Sequence, residues 1–316
     1  MAERKVAVVG ASGFVGSAVA AALRGRGVAV VPVGAPRLTV SPADLDEAAT
    51  AGLPAAVEER LRGCSVVVNA AGLSDAGADD EEALLGANAL LPGLLARACH
   101  DLGVRFVHIS SAAVQGRRPV LDSSREVAPV TPYARAKAQG ERLVLAADPA
   151  AVVYRPAGVH GEDRAVTRRL TSLARGPFRT VAGSGDANSP QALLADVADA
   201  VAELALIEAP LPSVVHHPSA GVTTRHLLEL LGGGARPRRV PMPVARTVLA
   251  GASLAGRAHG RIGALARRLD VLWLGQDQAP SWLENHGWRP VTQIEDWERL
   301  GETVARRAEP DDQGER

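Results

Sequence analysis

The chain has 316 residues and a formal net charge of zero, because its lysines and arginines balance its aspartates and glutamates. This balance argues against nucleic acid as a partner, since nucleic-acid-binding domains usually carry a basic excess. The two cysteines, Cys64 and Cys99, are too few for a disulfide framework and lack partners at metal-ligand spacing, so no metal site is expected. No apolar run is long enough to span a bilayer and no signal sequence opens the chain, which favours a cytoplasmic protein without a membrane partner.

The first half of the chain alternates short apolar stretches, typical of buried strands, with stretches typical of helices. Strands are predicted at residues 5–9, 28–33, 65–69, 105–110 and 151–155, with a further short one at 38–40. Helices are predicted at residues 17–25, 54–63, 80–102 and 133–147. This rhythm predicts an α/β fold, a Rossmann-type doubly wound parallel sheet.

A glycine-rich turn follows the first strand and opens the first helix. Gly10, Gly13 and Gly16 have the spacing that lets a chain turn tightly, approach a pyrophosphate and pack helix against strand. The helix N-terminus adds N–H groups and a partial positive charge. The turn therefore predicts a dinucleotide site, the alternative being a tight turn without a ligand. The predicted contacts are Gly10, Ser12, Gly13, Phe14 and Val15.

The end of the second strand indicates which dinucleotide is bound. An acidic residue at this position would bind the ribose 2′-hydroxyl of NAD, whereas an arginine would accept the 2′-phosphate of NADP. No carboxylate occupies the turn after Val33, and Arg37 lies within loop reach. The sequence therefore favours NADP(H), with NAD(H) as the alternative if Arg37 is merely solvated.

A tyrosine and a lysine four residues apart form the candidate catalytic pair. Tyr133 and Lys137 share one helix face. A cation about 4–6 Å away stabilises a phenolate by roughly 3–4 kcal/mol at an effective dielectric near 20. That lowers the pKa of the phenol from about 10 by about two to three units, toward the range of a general acid–base. Ser110 or Ser111, at the carboxyl edge of the sheet, offers a hydroxyl to the substrate oxygen.

Five motifs occur along the chain in a characteristic order: Gly10-Ala-Ser-Gly-Phe-Val-Gly16, Asn69-Ala-Ala-Gly72, His108-Ile-Ser-Ser-Ala-Ala-Val-Gln-Gly116, Tyr133-Ala-Arg-Ala-Lys137 and Tyr154-Arg-Pro-Ala-Gly-Val-His-Gly161. In them the chain resembles the extended short-chain dehydrogenase/reductase family, the NAD-dependent epimerase/dehydratase group that modifies sugar nucleotides. The resemblance covers nearly the whole chain. It implies an NAD(P)-dependent enzyme that interconverts a carbonyl and a secondary alcohol, with net reduction favoured and epimerisation as the alternative.

The resemblance also implies roles for individual residues. Tyr133 would be the acid–base, Lys137 its partner on the nicotinamide ribose, and Ser111 the substrate-orienting hydroxyl. The implied binding residues are Asn69, Ala70, Ala71, Asn88, Tyr133 and Lys137 for the cofactor, and Ser111 and Ala112 for the substrate. Dehydratases of the family carry an Asp-Glu pair where this chain has Ala112 and Ala113, so dehydration is not expected.

Arginines are frequent between residues 164 and 179. Because arginine binds phosphate in a bidentate manner, Arg168 and Arg169 are candidate contacts to a phosphorylated small-molecule substrate. A solvated helix face is the alternative.

The family resemblance suggests a homodimer. A sensor or scaffold that binds dinucleotide without catalysis is the alternative of another class, and the retained Tyr133–Lys137 pair argues against it.

The pattern changes after residue 156, which predicts two domains. Residues 1–156 are expected to form the dinucleotide-binding Rossmann domain, to which residues 187–219 return. Residues 157–186 and 220–306 are expected to form a smaller, mostly helical C-terminal substrate-binding lobe. The charged segment 307–316 lacks apolar anchors and is predicted to be a disordered tail.

Overall fold

The computed structural model describes residues 4–74, 80–256 and 269–308. The chain divides into two compact units, each built from three segments. Unit 1 comprises Met1–Ala157, Leu194–Pro218 and Ala279–Val291, and unit 2 comprises Gly158–Leu193, Ser219–Gln278 and Thr292–Arg316.

The strands and helices alternate through most of the chain. The strands are β1 (Lys5–Val9), β2 (Ala29–Val33), β3 (Val66–Asn69), β4 (Arg105–Ile109), β5 (Val120–Leu121), β6 (Val152–Arg155), β7 (Gly158–His160), β8 (Thr180–Ala182), β9 (Gln191–Leu193), β10 (Val214–His216), β11 (Arg238–Val240) and β12 (Asp277–Gln278). The helices are α1 (Phe14–Gly25), α2 (Leu45–Ala48), α3 (Ala55–Leu61), α4 (Glu81–Leu85), α5 (Leu91–Leu102), α6 (Pro132–Ala147), α7 (Ala165–Arg175), α8 (Leu194–Leu206), α9 (Thr224–Leu231), α10 (Met242–Gly256), α11 (Trp282–Asn285) and α12 (Glu295–Ala308). A π-helical turn, Gly86–Leu90, joins α4 to α5, and a 3-10 turn covers Ala112–Gln115. Residues 269–274 are also helical.

Unit 1 is organised around a six-stranded sheet in the order β10-β6-β4-β3-β1-β2, in which every neighbouring pair is parallel. The predicted Rossmann-type fold is confirmed. The central strands are buried along their length because helices cover both faces of a parallel sheet. Helix α1 packs against α8, and α5 packs against α6. The register aligns Val9 with Val33 and Asn69, so the carboxyl ends of β1, β2 and β3 lie at one edge.

The strand predicted at residues 38–40 was wrong. This segment has no strand partner, although Val40 is buried in the core of unit 1. The backbone N–H of Val40 donates to the carbonyl of Glu82 instead. The segment is apolar because it covers the core, and it needs no place in the sheet to do so.

Two segments lie in a different unit from the one expected. Residues 187–193 belong to unit 2, where β9 pairs in parallel with β7. Residues 279–291 belong to unit 1, where the indole N–H of Trp288 donates to Asp199 and the hydroxyl of Ser281 donates to the carbonyl of His216. Both placements follow from contacts between residues far apart in sequence, which local patterns do not reveal.

Unit 2 has two apolar clusters. Helices α7, α9 and α12 pack together around leucines of α9 and the indole of Trp297. Strands β8 and β11 form a parallel pair, beside which Ala245 and Leu249 of α10 pack with Trp273. Helices α7, α9 and α12 have the pattern of amphipathic helices, each with one apolar stripe turned to a core.

The C-terminal end is helical as far as Ala308. The first two residues of the predicted tail, 307 and 308, are therefore helical, contrary to expectation. Arg307 also forms ion pairs with Glu162 and Asp163. The rest of the predicted tail, residues 309–316, lies outside the described residues. None of the helices that the structure describes is both long enough and apolar enough to cross a membrane.

Helix α1 packs so closely on the turn before it that Gly16 has no room for a side chain. A Cβ at this position would lie 2.1 Å from the carbonyl oxygen of Gly10. We expect Gly16→Ala to lower the free energy of unfolding by about 1–3 kcal/mol, as overpacking usually does. Gly25, in the same helix, has no atom within 4 Å of its Cβ position. Gly25→Ala should be neutral or stabilising by up to ~1 kcal/mol. Chemical denaturation of both variants checks this, and equal effects would contradict it.

Candidate active site

The glycine turn presents its backbone at the carboxyl edge of the sheet. Gly10 adopts φ 78°, and its N–H donates to Val33 across the edge at 2.9 Å. This left-handed conformation favours glycine. A Cβ on Gly10 would also lie 2.9 Å from the backbone of Ala71. Gly13 is the N-cap of α1 and contributes no side-chain acceptor to it, and Ser12 and Gly13 are exposed. The start of α1 is therefore shaped to receive an anion.

The loop after β3 is held against this turn by Asn69. The side-chain oxygen Oδ1 of Asn69 accepts from the N–H of Ala71 at 3.0 Å. The side-chain amide nitrogen of Asn69 donates to Nδ1 of His108 at 3.1 Å. Burial lowers the pKa of His108 well below its ordinary value, so the ring is neutral and Nδ1 accepts. Asn69 is fully buried. Its side chain shapes the loop, and the cofactor contacts expected of Asn69, Ala70 and Ala71 stay predictions.

The side chain of Lys137, on helix α6, approaches the far end of this loop at Gly72. Its ammonium donates to the carbonyl of Ile109, at the end of β4, at 3.0 Å. A Cβ on Gly72 would lie 3.2 Å from Nζ of Lys137 and 2.6 Å from Oδ1 of Asn88. The structure therefore brings the loop after β3, Asn88 and Lys137 together, and the same loop contacts the glycine turn at Gly10.

Asn88 occupies the π-helical turn, where α6 approaches closely because Gly140 has no side chain. A Cβ on Gly140 would lie 2.1 Å from the carbonyl oxygen of Asn88. The amide of Asn88 donates to the carbonyl of Leu73 at 3.0 Å. Its Oδ1 is buried and has no hydrogen-bond partner among the described residues. A buried acceptor without a partner is uncommon and suits a group that a ligand or water completes.

Burial governs the protonation of Lys137. The side chain is nine-tenths buried, and this desolvation lowers its pKa from the ordinary 10.5 to about 8. Glu141, one helical turn further on, opposes the shift because its negative charge favours the ammonium. Lys137 is therefore charged below about pH 8 and loses its charge above it.

Tyr133 is placed by the start of helix α6. The hydroxyl of Thr131 caps the helix by accepting from the N–H of Ala134 at 3.1 Å, and Pro132 occupies the first turn. Tyr133 is half-buried and packs on the core of unit 1, one turn before Lys137. Helix α6 also packs against the 3-10 turn that follows Ser111.

The two serines after β4 differ in what their hydroxyls do. Ser110 is buried and donates to Glu141 at 2.5 Å. Ser111 is half-buried and caps the 3-10 turn by accepting from the N–H of Ala113 at 3.2 Å. The Ser111 hydroxyl can still donate to a substrate oxygen. The sequence left the choice between them open until the family resemblance favoured Ser111, and this geometry favours it as well.

A buried ion pair behind the site was missed by sequence reasoning. Arg155 donates from Nε and Nη2 to the two carboxylate oxygens of Glu141, at 3.0 and 2.6 Å. Both side chains are at most 5% exposed. An arginine that ends the apolar run of β6 needs a buried partner, and a carboxylate one turn after Lys137 is a candidate for it. That reasoning would have found the pair.

The three arginines predicted to bind ligands are all exposed. Arg37 is exposed in the segment after β2. Arg168 and Arg169 are exposed on α7 of unit 2, where Arg168 donates to the carbonyl of Asp163 at 2.9 Å. Ala112, half-buried, donates its N–H to the carbonyl of Pro156. Their contacts to a cofactor or substrate stay predictions.

The described residues fit a dinucleotide in three respects. The glycine turn opens α1 at the edge where ligands bind in parallel sheets. Side chains at Gly10 or Gly72 would strike neighbouring atoms, so the surface there is bare backbone. The buried Oδ1 of Asn88 lacks a protein partner beside Lys137. Among the described residues there is no cluster of metal-ligating side chains.

Known proteins are similar to this chain in sequence and in fold. Curated dTDP-4-dehydrorhamnose reductases are similar to the chain: one from Mycobacterium tuberculosis (strain H37Rv) is 38% identical over 183 residues, 54% of this chain and 59% of the relative. One from Mycolicibacterium smegmatis is 31% identical over 235 residues, 71% of this chain and 67% of the relative. The match thus spans about three fifths to two thirds of these relatives' length.

The fold is shared over a longer stretch. The structure of a dTDP-4-dehydrorhamnose reductase from Bacillus anthracis str. Ames in complex with NADP covers 94% of this chain and 98% of its own, with a TM-score of 0.63 and 16% identity. The sequence model of one family matches residues 6–210, which include the glycine turn, the Tyr133–Lys137 helix and all strands of the main sheet except the last. The chain belongs to the NAD dependent epimerase/dehydratase family, as the resemblance implied.

Proposed function

We propose that the protein is an NAD(P)-dependent oxidoreductase that interconverts a carbonyl and a secondary alcohol on a sugar nucleotide or related small molecule, with net reduction favoured. The observation that carries the proposal is the convergence of Lys137, Asn88 and Gly72 beside the glycine turn. Tyr133 stands one helical turn away from this point. The dTDP-4-dehydrorhamnose reductases among the relatives support a sugar-nucleotide substrate.

The chain's own residues divide the chemistry among them. A bound nicotinamide dinucleotide would supply or accept the hydride. Tyr133 gives a proton to the carbonyl oxygen in reduction, or removes it from the hydroxyl in oxidation. The ammonium of Lys137 stabilises the phenolate that remains. Ser111 donates a hydrogen bond to the same substrate oxygen and so fixes its position.

The binding roles of the two units extend this proposal. The backbone around Gly10 and Gly13 would hold the diphosphate of the dinucleotide, and Lys137 and Asn88 its nicotinamide ribose. Unit 2 would hold the substrate, with Arg168 and Arg169 as candidate contacts to its phosphates. NADP(H) is the favoured cofactor because an arginine and no carboxylate follows β2, and NAD(H) is the alternative.

A cytoplasmic location is part of the same proposal. Both cysteines are buried free thiols, which suits a reducing compartment.

A homodimer is proposed on the family resemblance alone. Light scattering of the purified protein tests the oligomeric state directly.

The test of function is a screen of keto-sugar nucleotides with NADPH and NADH. Stoichiometric consumption of reduced cofactor supports a reductase. A cofactor that co-purifies and shows no net turnover while the substrate changes configuration would replace this proposal with epimerisation. Dinucleotide binding that leaves every candidate substrate unchanged would favour a non-catalytic sensor.

The first variant to test is Tyr133→Phe, which removes the proton donor and leaves the ring. We expect kcat/KM to fall by roughly 100-fold or more. The Kd for NADPH should change less than about twofold, since the phenol is proposed to act on the substrate oxygen. Arg135→Ala, an exposed position on the same helix, is the matched control and should retain activity. Equal activity in both variants would contradict the role of Tyr133.

The pH profile tests the electrostatic link between Glu141 and Lys137. Glu141 raises the pKa of Lys137 against the effect of burial, so Glu141→Gln should lower that pKa further below about 8. Because activity requires the ammonium, the alkaline limb of the kcat/KM profile should move to lower pH. A lower rate with an unshifted limb would reduce Glu141 to a purely structural role.

Glu141→Gln alone leaves Arg155 buried without its partner, which can destabilise the fold by about 3–5 kcal/mol. The double variant Glu141→Gln/Arg155→Met removes both charges and keeps the test independent of that loss. Its alkaline limb should shift in the same direction. Thermal unfolding of each variant identifies the pH range in which it is folded.

Cofactor choice is tested at Arg37. We expect Arg37→Ser to raise the Kd for NADPH by about tenfold, through the loss of one charged contact to a phosphate. The Kd for NADH should not change. Arg24→Ser, another exposed arginine of unit 1, should affect neither cofactor. Nicotinamide fluorescence titration measures all four values, and equal weakening of both cofactors by Arg37→Ser would contradict the prediction.

A further inference from the structure

Helix α10 of unit 2 turns one apolar face to its own core and another to solvent. Ala245 and Leu249 are buried beside Trp273. On the other side Val244, Val248 and Leu254 are 51%, 44% and 65% exposed. At 100° per residue, the exposed positions of the helix form one broad face. We name it the α10 face; it consists of Pro243, Val244, Thr247, Val248, Ala250, Gly251, Leu254 and Ala255.

The composition of this face is unusual for a surface helix. A surface helix normally places charged or polar residues opposite its core stripe. The α10 face carries no charged residue, and Thr247 is its one residue with a polar side chain. Arg246 lies at its border, between the face and the core stripe. Such a face indicates a partner that is apolar where it meets the helix.

The surroundings of the face are basic. Arg236, Arg238 and Arg239 are exposed in and just before β11, which leads directly into α10. From residue 230 to residue 269 the sequence contains no aspartate or glutamate, although the whole chain is neutral. The arginines of this stretch are Arg236, Arg238, Arg239, Arg246, Arg257, Arg261, Arg267 and Arg268. Among the described arginines of this stretch, Arg236, Arg238 and Arg239 directly precede α10 and Arg246 borders its exposed face, so the described side chains that flank the face are basic.

Carboxylates from neighbouring elements reduce this charge in part, among them Asp186, Glu229 and Asp270 of the helical segment that packs beside α10. Asp186 pairs with Arg225. Glu229 lines a cavity of about 340 Å³ with Arg225, Arg236 and Arg239. Arg238 and Arg246 are not among the residues that line this cavity, and the arginines outnumber the carboxylates around it. The local charge stays positive.

We infer that the α10 face and its flanking arginines, Arg236, Arg238, Arg239 and Arg246, dock on the surface of a membrane that contains anionic lipids. A helix with one apolar face and basic flanks lies in the plane of the interface, with the apolar side chains about 5–10 Å deep at the headgroup boundary. Arginines at its edge bind the lipid phosphates. The contact is peripheral and needs no spanning helix.

This inference revises the expectation that the protein has no membrane partner. That expectation rested on the length of apolar runs and on the net charge of the whole chain. Neither quantity describes how apolar and basic residues are arranged on one surface. The finding that no described helix can span a membrane is unaffected.

A second copy of the chain fits the face less well. A symmetric contact through α10 would bring the flanking arginines of both copies together, and like charges across an interface are unfavourable. A standard interface also buries about 800 Å² per partner. The α10 face offers three large apolar side chains for that purpose. A layer of anionic headgroups above an apolar interior matches both the charge and the apolar character of the surface.

The test is co-sedimentation of the full chain with lipid vesicles. Vesicles of equal parts phosphatidylglycerol and phosphatidylcholine should bind the protein, and vesicles of phosphatidylcholine alone should bind it at least tenfold more weakly. Binding to the anionic vesicles should weaken as salt rises. No binding to either kind of vesicle would overturn the inference.

Variants locate the contact. Val248→Glu places a carboxylate in the α10 face and should weaken vesicle binding at least tenfold. Val166→Glu on α7 is the matched control, because Val166 is 44% exposed, as Val248 is, and should leave binding unchanged. Arg238→Gln/Arg246→Gln should weaken binding to anionic vesicles alone. Far-UV circular dichroism confirms that each variant is folded.

Two further outcomes would overturn the inference. Equal losses with Val248→Glu and Val166→Glu would show that the α10 face is not the contact. Dimers that dissociate on Val248→Glu, in a protein that does not bind vesicles, would assign the face to a second copy.

Discussion

The site depends on keeping an amine charged inside the protein. Lys137 is almost wholly buried, and burial favours its neutral form. One carbonyl, that of Ile109, accepts from it directly, and the carboxylate of Glu141 stabilises its charge one turn away. Gly72 leaves open the space between the ammonium and the amide of Asn88. The surrounding segments thus supply the acceptors that let the charge persist where a phenol can use it.

The same carboxylate connects the helix to the sheet. Glu141 accepts from Ser110 at the end of β4 and from Arg155 at the end of β6, while its own helix carries Tyr133 and Lys137. Removing one partner of such a buried pair leaves a charge without compensation, which costs about 3–5 kcal/mol. The pair therefore fixes the carboxyl ends of two strands relative to the helix that bears Tyr133, the proposed proton donor. Stability and proton chemistry share one group.

Much of the fold follows from local patterns in the sequence. Apolar runs such as residues 5–9 and 66–69 gave the buried strands, and the glycine turn gave the start of α1. The pairing of Tyr133 with Lys137 on one face follows from helical spacing. Contacts between distant segments could not be predicted in this way. The segment with Trp288 carries no local sign that it packs on Asp199 of unit 1.

The remaining errors have similar causes. Residues 38–40 have the composition of a strand, yet they cover the core while Val40 bonds to Glu82 outside the sheet. The close approach of α6 to the π-helical turn at Asn88 depends on Gly140, so no window of sequence around Asn88 reveals it. The assignments of Ser111, Arg37, Arg168 and Arg169 to ligand contacts stay predictions.

The order in which the chain visits its two units constrains how it can be made. Unit 1 takes its last segment from residues 279–291, after the chain has passed twice through unit 2. During synthesis, β10 can join the sheet early, but Ser281 and Trp288 reach His216 and Asp199 only after the two preceding segments of unit 2 have been made. A fragment that ends at residue 218 would therefore lack the donors that Ser281 and Trp288 supply to His216 and Asp199. Neither unit is a module that a single cut could separate.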